Sequence, residues 1–435
     1  MMNWNVEHIR LDDQTMFETL NGLWTGKTPP FVTAGVIRNT NFTESGRIDY
    51  LDVAWLQTEQ KQLAKRQLKP GDIIIERSGG GPKQPVGRVV FFSREDGPFS
   101  FSNFTSVIRV RDADAFDAKF IFYVLLELYH SGRTEDLQRR TTGIRNLDFT
   151  AYKERATFPR ITLLEQRKIA GVLGLVQRAI EQQERLIALT TELKKALLHK
   201  LFTEGLHGEP QKQTEIGPVP ESWEVAELGK LVNLFGGYAF RSEDSVPISN
   251  TQLVRMGNLY QNKLDLTRSP IFYPDDFTQQ YARFVLKQGD LIMSLTGTSG
   301  KEDYGFTVEI KHVPKTLLLN QRVARVDITC SKLVKDFLFY FLLSRKFLNQ
   351  LYQTAKGMKQ ANLSTYAMKQ LKVPVPSVRE QKNIADYFRA IDQRNDIHQR
   401  RVDMLQDLFR TLLHQLMMAQ IRVRDLDLSE LESDL

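Results

Sequence analysis

Apolar residues along this chain follow two rhythms. After Glu165 they return at steps of alternately four and three residues, at Ile169, Leu173, Val176, Ile180, Ile187, Leu197 and Leu201, with Gln183, Thr190 and Lys194 as polar steps of the same series. After Glu380 the series lands on Ile384, Phe388, Ile391, Val402, Leu405, Phe409, Leu412 and Leu416, with Asn395 and His398 as its polar steps. A heptad stripe sustained over about five heptads predicts a long helix with a coiled-coil seam. Each helix would run roughly 57 Å over about 38 residues at 1.5 Å per residue. One such stripe is not stable alone in water, and its natural partner is the other copy, paired antiparallel. Polar steps in a seam fix register at some cost in stability. His398 reads as a packed, hydrogen-bonded seam residue rather than a catalytic one.

Elsewhere, over roughly 1–158 and 207–375, short runs of β-branched and aromatic residues lie between Gly, Pro, Asn and Ser clusters, which predicts strands and turns. One helical stretch sits inside each segment, around 117–130 and 334–350, so each is α+β rather than a regular alternation. The segments also repeat one another. EQRKIA at 165–170 returns as EQKNIA at 380–385, LKPGDIII at 68–75 as LKQGDLIM at 286–293, and KFIFYVLL at 119–126 as DFLFYFLL at 336–343. TTGIRNL at 141–147 is answered by AKGMKQANL at 355–363, and IRNTNF at 37–42 with GRIDYL at 46–51 by VRMGNL at 254–259 with NKLDL at 262–266. Asn103 is aligned with Asn320, and Arg145 with Lys359, each pair beside matched segments. Collinear matches of this kind describe a tandem duplication. The predicted organisation is a first module at 1–158, a helical spacer at 159–206, a second module at 207–375, a second spacer at 376–422 and an acidic tail at 423–435. Antiparallel pairing of the spacers would relate the modules by a pseudo-twofold.

Composition narrows the class. With 435 residues, 41% apolar and 26% charged, the chain has room for two to four soluble domains. No run of eighteen apolar residues exists, and MMNWNVEHIRLDD lacks the apolar core of a secretory signal. A single cysteine, Cys330, excludes an intrachain disulfide framework and a cysteine-based zinc site, and suits a reducing compartment. The expected location is cytoplasmic. A net charge of +7 permits nucleic acid as a partner without demanding it. Between Arg345 and Lys372 stand Arg345, Lys346, Lys356, Lys359, Lys369 and Lys372 with no acidic residue, an arrangement that predicts a phosphate-contact surface. The tail from Asp425 to Leu435 carries five acidic residues in eleven, readable as a solvating end or a docking peptide.

The phrases FPRITLLEQRKIAGVL at 158–173, VPVPSVREQKNIADYF at 373–388 and TEIGPVPESWEVAELG at 214–229 carry a family resemblance. With the Gly-Asp turns at 71–72 and 289–290, they make the whole chain resemble a type I restriction–modification specificity subunit. One departure is visible: the second copy has Pro374 and Pro376 where the first has Pro159 and Ile161. The resemblance implies two target recognition domains, each reading one half of a bipartite double-stranded DNA sequence, held on helices that dock two adenine methyltransferase subunits. Restriction subunits would join through these. It implies a non-catalytic chain, with S-adenosylmethionine, ATP and magnesium bound by partner subunits. The rival reading is a protein–protein scaffold using the same two heads without DNA.

No catalytic motif along the chain is complete. TPPF at 28–31 has Thr28 where adenine methyltransferases carry Asn or Asp, so it reads as a turn. LTGTSGKED at 295–303 lacks both the first Gly and the Ser or Thr of a Walker A loop, and RSGGGPKQPVGR at 77–88 has no Gly-Lys-Ser/Thr. Histidines are scattered with no pair on one helix face, so no metal site is assigned. Phosphate contacts need Lys or Arg, and base edges need Arg, Lys, Asn, Gln, Ser or Thr. Candidates in the first module are Arg77, Lys83, Arg88, Arg139, Arg140, Arg145 and Asn146. In the second they are Arg241, Thr298, Lys301, Lys356, Lys359, Gln360 and Asn362. TTGIRN and AKGMKQAN are the leading segments, because a duplicated loop couples Gly with basic and amide side chains; each single position also reads as an ordinary surface charge.

Overall fold

A computed structural model describes residues 6–23, 26, 28–81, 84–141, 144–298, 301–354 and 361–423. The two long helices occupy Leu163–Glu204 and Val378–Met417. The chain divides into two compact units, Met1–Gln183 with Arg400–Leu435, and Glu184–Gln399. The boundary between the units cuts through both helices. The reason is physical: a helical stripe must be buried, and each half-helix buries it against a module.

Within the first unit, Phe17–Asn21, Thr105–Val110, Ile73–Glu76 and Val89–Phe91 form an antiparallel sheet in that spatial order. Ala54–Glu59, Phe31–Ile37 and Phe99–Phe101 form a second layer. Ile37, Ile74, Val90, Phe92, Phe101 and Val107 close the core between them. The second unit repeats the first sheet with Val232–Gly236, Val323–Ile328, Leu291–Ser294 and Thr307–Glu309. Its second layer is Phe272–Tyr273, Thr251–Val254, Thr316–Leu319 and Val285–Leu286.

The duplicated Gly-Asp phrases are one turn made twice. Gly71 and Gly289 have φ of 95° and 88°, a region that favours glycine. The aspartate that follows accepts the N–H of Lys69 at 2.7 Å or of Lys287 at 2.8 Å, which locks the entry to the central strand. The IRNTNF and VRMGNL phrases likewise share a turn, in which Asn41 and Asn258 accept the N–H of Arg38 and Arg255 at 2.9 Å.

Backbone pairing corrects one alignment. Thr105 and Val323 donate to Ser102 and Asn320, so Asn320 answers Ser102, while Asn103 answers Gln321. The strand register agrees, with Asn21 opposite Ser106 and Gly236 opposite Ala324. Identity of residue type misled the alignment by one position. A second correction concerns the embedded helix. Ala118–His130 is continuous, but its counterpart is two helices, Lys335–Leu342 and Arg345–Thr354. Ser344 makes the break: its hydroxyl donates to Phe341 O at 2.6 Å and accepts the N–H of Phe347 at 3.3 Å, capping the second piece.

The repeated hexapeptide holds each long helix to its module. Gln166 accepts the Asp117 N–H at 2.9 Å and donates to Ala115 O at 2.8 Å and Ile161 O at 3.0 Å. Gln381 accepts the Val334 N–H at 2.7 Å and donates to Lys332 O at 2.7 Å and Pro376 O at 2.8 Å. Both side chains are buried. Along the seam, Ile169, Leu173, Val176, Ile180, Val402 and Phe409 are buried in the first unit, where Leu405 and Leu412 are half-buried. In the second unit Ile384 and Phe388 are buried, and Ile187, Leu197 and Ile391 half-buried. There the pairing is antiparallel: Thr190 donates to Asn395, Lys194 to Asp392 at 2.5 Å, and Phe202 stacks on Phe388 at 6.1 Å.

Gln381→Leu should lower stability of the second unit by about 2 kcal/mol or more, because it strands buried polar groups on three sides. Hydrogen exchange at the Val334 amide, compared between the variant and the parent, checks this; unchanged protection there would refute the clamp.

Candidate nucleic-acid interface

In the first unit the strand Ile73–Glu76 leaves the sheet at Arg77 and continues as Ser78–Gly80. That short strand pairs with Ile144–Leu147, placing Ser78 opposite Asn146 and Gly80 opposite Arg145, and Ile144–Leu147 forms a hairpin with Gln138–Thr141. Two of the predicted segments, far apart in sequence, thus form one surface. Glycine is required at its centre: Gly79 has φ of 112°, and a Cβ on Gly80 would lie 2.7 Å from Gln84 O.

Arg77 is half-buried, donating to Asn21 Oδ1 at 2.9 Å with its guanidinium 4.8 Å from the centre of the Phe149 ring. Together with Arg139, Asp148 and Lys153 these residues line a cleft of about 420 Å³. Arg139, 74% exposed, pairs with Asp148. Arg145 donates to Gln138 Oε1 at 3.2 Å, and Asn146 is half-buried in the same strand. Arg140 has its backbone in the hairpin opposite Arg145, but its side chain and Lys83 lie outside the described residues. Lys153 and Phe149 were not among the sequence candidates; a half-buried helical face next to the loop carried no motif to mark them.

Arg88, in contrast, is held inside the module. Its Nε and Nη2 donate to the two carboxylate oxygens of Glu76, both at 2.9 Å, and Nη1 and Nη2 reach Phe42 O and Asn39 O. Both partners of the ion pair are buried. The charge that the sequence offered to a phosphate is consumed inside the module.

In the second unit Thr296–Gly297 pairs with Ala361–Asn362, Thr296 opposite Asn362, so the same two loops meet again. By the backbone pairing of Leu147 to Arg77 and Leu363 to Leu295, Asn146 answers Asn362 and Arg145 answers Ala361 rather than Lys359. Thr298 is exposed, and its N–H donates to Asp303 Oδ1 at 2.7 Å. Lys301 is exposed, and Arg241 pairs with Glu243 at 3.3 Å. Lys356, Lys359 and Gln360 lie outside the described residues, as does the side chain of Asn362. TPPF is a turn into the strand Phe31–Ile37, held by the Thr28 N–H donating to Glu59 at 2.6 Å.

Three cations of the acid-free basic run, Arg345, Lys346 and Lys372, are engaged inside the unit, while Lys356 and Lys359 lie outside the described residues. Arg345 pairs with Glu302 at 2.6 Å, and Lys372 with Glu215 at 3.4 Å and Glu227 at 3.5 Å. Lys346 donates to Pro218 O, and burial pushes its ammonium down to about 8, the opposite of what a phosphate contact needs. The neutralising acids come from distant parts of the chain. Three arginines that were not candidates, Arg255, Arg268 and Arg322, line an open cleft of about 510 Å³ in this unit. Among the described residues no acidic or histidine cluster could hold a metal ion, and no helix is long and apolar enough to cross a membrane.

Comparisons with known proteins converge. The family described as "Type I restriction modification DNA specificity domain" matches residues 220–406. The type I restriction enzyme MjaVIII specificity subunit of Methanocaldococcus jannaschii is 29% identical over 297 residues, covering 67% of this chain and 68% of that protein. A putative type I restriction enzyme MjaX specificity subunit from the same organism is 23% identical over 414 residues, covering 93% and 91%. The crystal structure of a type I restriction–modification system S subunit from M. genitalium shares the fold, with a TM-score of 0.57, 17% identity, and coverage of 94% of this chain and 96% of that one.

Arg88→Ala should destabilise the first unit by about 3–5 kcal/mol, because it leaves Glu76 buried and unpaired. Arg139→Ala, at an exposed pair, should change stability by less than about 1 kcal/mol. Urea unfolding of the two variants side by side checks the contrast, and equal midpoints would refute the assignment of Arg88 to the core.

Proposed function

The chain belongs to the family of type I restriction–modification specificity subunits, and from that premise we propose that each of its modules reads one half of an asymmetric, bipartite duplex DNA target. The role is non-catalytic. The observation that carries the reading is the twice-made junction of a glycine-rich loop with a strand bearing an amide, Gly80 and Ser78 against Arg145 and Asn146, and Thr296 against Asn362. Loops of this kind present amides and basic side chains without bulk, as base and phosphate contacts require. The flanking residues differ between copies, which favours two different half-sites. In the first module we assign contacts to Arg77, Arg139, Arg145, Asn146 and Lys153, and in the second to Thr298, Lys301 and the 356–362 segment.

Assembly with other subunits follows from the family, and two adenine methyltransferase subunits are the proposed partners. Leu186, Leu189 and Leu193 on the first long helix are 38%, 57% and 51% exposed, an i, i+3, i+7 stripe outside the seam. This face suits a partner helix. S-adenosylmethionine, ATP and magnesium are proposed to reside on the partner subunits.

Co-expression with a cognate methyltransferase should produce adenine methylation at one motif of two short half-sites with a constant gap, read by genome-wide methylation mapping and absent without this chain. An active partner that yields no new motif would refute the reading. Leu189→Lys combined with Leu193→Lys should abolish co-purification of the methyltransferase while leaving the thermal midpoint of the isolated chain unchanged. Retained co-purification would remove that face from the interface.

A further inference from the structure

The two modules share a backbone but carry their cations at different places on it. In the first, the N–H of Arg77 donates to Phe104 O at 2.8 Å; in the second, the N–H of Leu295 donates to Arg322 O at 2.9 Å. Leu295 therefore answers Arg77, and Arg322 answers Phe104. Arg77's polar partners Asn21 and Ser106 are answered by Gly236 and Ala324. Among the described residues, the Arg77, Asn21 and Ser106 cluster of the first module is replaced in the second by Leu295, Gly236 and Ala324.

The second module has a cleft of its own. It is bounded by Arg255, Arg268 and Arg322, with Ser242, Asn320 and Gln321 beside them, and among the described residues no carboxylate lines it. Arg255 is oriented by donation to Ser269 O at 2.6 Å. In the first module the equivalent Arg38 donates to Asp52 O at 3.0 Å and also meets the Asp52 carboxylate at 3.4 Å. Ser269 replaces that aspartate, so the second copy loses the internal counter-charge and gains Arg322. The guanidinium of Arg268 lies 5.0 Å from the centre of the Tyr260 ring, and Arg322 is exposed with no ion pair among the described residues. Three guanidinium groups in one concave, carboxylate-free cleft repel one another and focus a positive potential outward. A polyanion relieves both.

We infer that this cleft grips the phosphate backbone of the DNA half-site read by the second module, with Arg322 and Arg268 as phosphate contacts and Arg255 as the oriented floor. The inference rests on the DNA-reading role proposed above. Phosphate contacts carry affinity and register, whereas base edges carry sequence. Removing one contact lowers affinity for all sequences and makes the salt dependence shallower by about one ion per cation removed.

The test uses the full chain with its methyltransferase partner, a mixed-sequence duplex titrated by fluorescence anisotropy over a series of KCl concentrations, and methylation mapping in parallel. Arg322→Ala and Arg268→Ala should each reduce the slope of log affinity against log salt by about one, with the methylated motif unchanged. Arg322→Lys should restore the slope, since the charge is kept, and its thermal midpoint guards against a folding artefact. A wild-type complex without salt-sensitive duplex binding sinks the DNA-reading role and the cleft with it. A wild type that binds, with slopes unaltered in both alanine variants, overturns the cleft alone. A changed second half-site with an unaltered slope would make these arginines base readers and also overturn it.

Discussion

Everything else in each unit depends on one buried amide. Gln166 and Gln381 each accept the N–H that opens a module helix or its approach, and each donates to carbonyls on both sides of the junction. Glutamine alone among the common side chains supplies an acceptor and two donors at this reach. Glutamate would set a carboxylate against two carbonyl oxygens, and a buried unpaired polar group costs about 1–3 kcal/mol. The residue before it has a different task. Glu380 accepts the Leu206 N–H at 3.2 Å, just beyond the first long helix, and the Trp223 indole N–H at 3.1 Å, further along the chain that leaves it. Glu165 accepts from Arg422, just beyond the second, at 2.9 Å. Glutamate ties in the chain that leaves the opposing helix, and glutamine ties the helix to its module. That division of labour explains why these six residues were written twice.

A frame fixed in this way leaves its surface free to change. The backbone hydrogen bond joining Arg77 to Phe104 survives in the second unit between Leu295 and Arg322, although both side chains differ in kind. Gly22 and Gly237 show the opposite case: a Cβ there would come within 1.8 Å of Ser102 O or 2.2 Å of Asn320 O, so the crossing of strands tolerates nothing larger. Surface substitutions away from buried features change stability by about 0.5 kcal/mol or less, whereas junction residues have no such freedom. Loops can therefore be rewritten for a new half-site while the scaffold stays folded.

What the sequence revealed follows the same line. Local, periodic features were legible: the heptad stripe, the Gly-Asp turns, the buried helix at 118–130 and the duplication itself. The Gly-rich loops and the amide loops downstream of them were each legible as repeated segments, whereas their pairing with one another was not. Arg88 misled because a charged residue beside glycines resembles a binding loop, and its partner Glu76 points at it only after the strands turn back. Arg345 and Lys372 of the basic run misled for the same reason, since Glu302, Glu215 and Glu227 arrive from elsewhere in the chain. Arg322 was missed because it stands alone in sequence; its companions Arg255 and Arg268 are brought beside it by the second layer. Charge legible in one dimension is decided by neighbours in three.

The polar steps of the seam belong with the clamps rather than with the packing. A uniformly apolar heptad seam permits a slip of one heptad, roughly 10 Å along the axis at 1.5 Å per residue, at little cost in buried area. In the second unit such a slip would separate Thr190 from Asn395 and Lys194 from Asp392. Asp392 also accepts the Tyr340 hydroxyl at 2.9 Å, so the same slip would strand a side chain belonging to the module. In the first unit the equivalent Tyr123 donates to Gln177 at 2.8 Å, and Gln177 donates onward to Ser45 O at 3.0 Å. Each module thus reads the register of its own long helix through a tyrosine and the angle of that helix through a glutamine. Two hydrogen-bonded contacts about three turns apart fix a rod against both sliding and tilting, which neither could do alone.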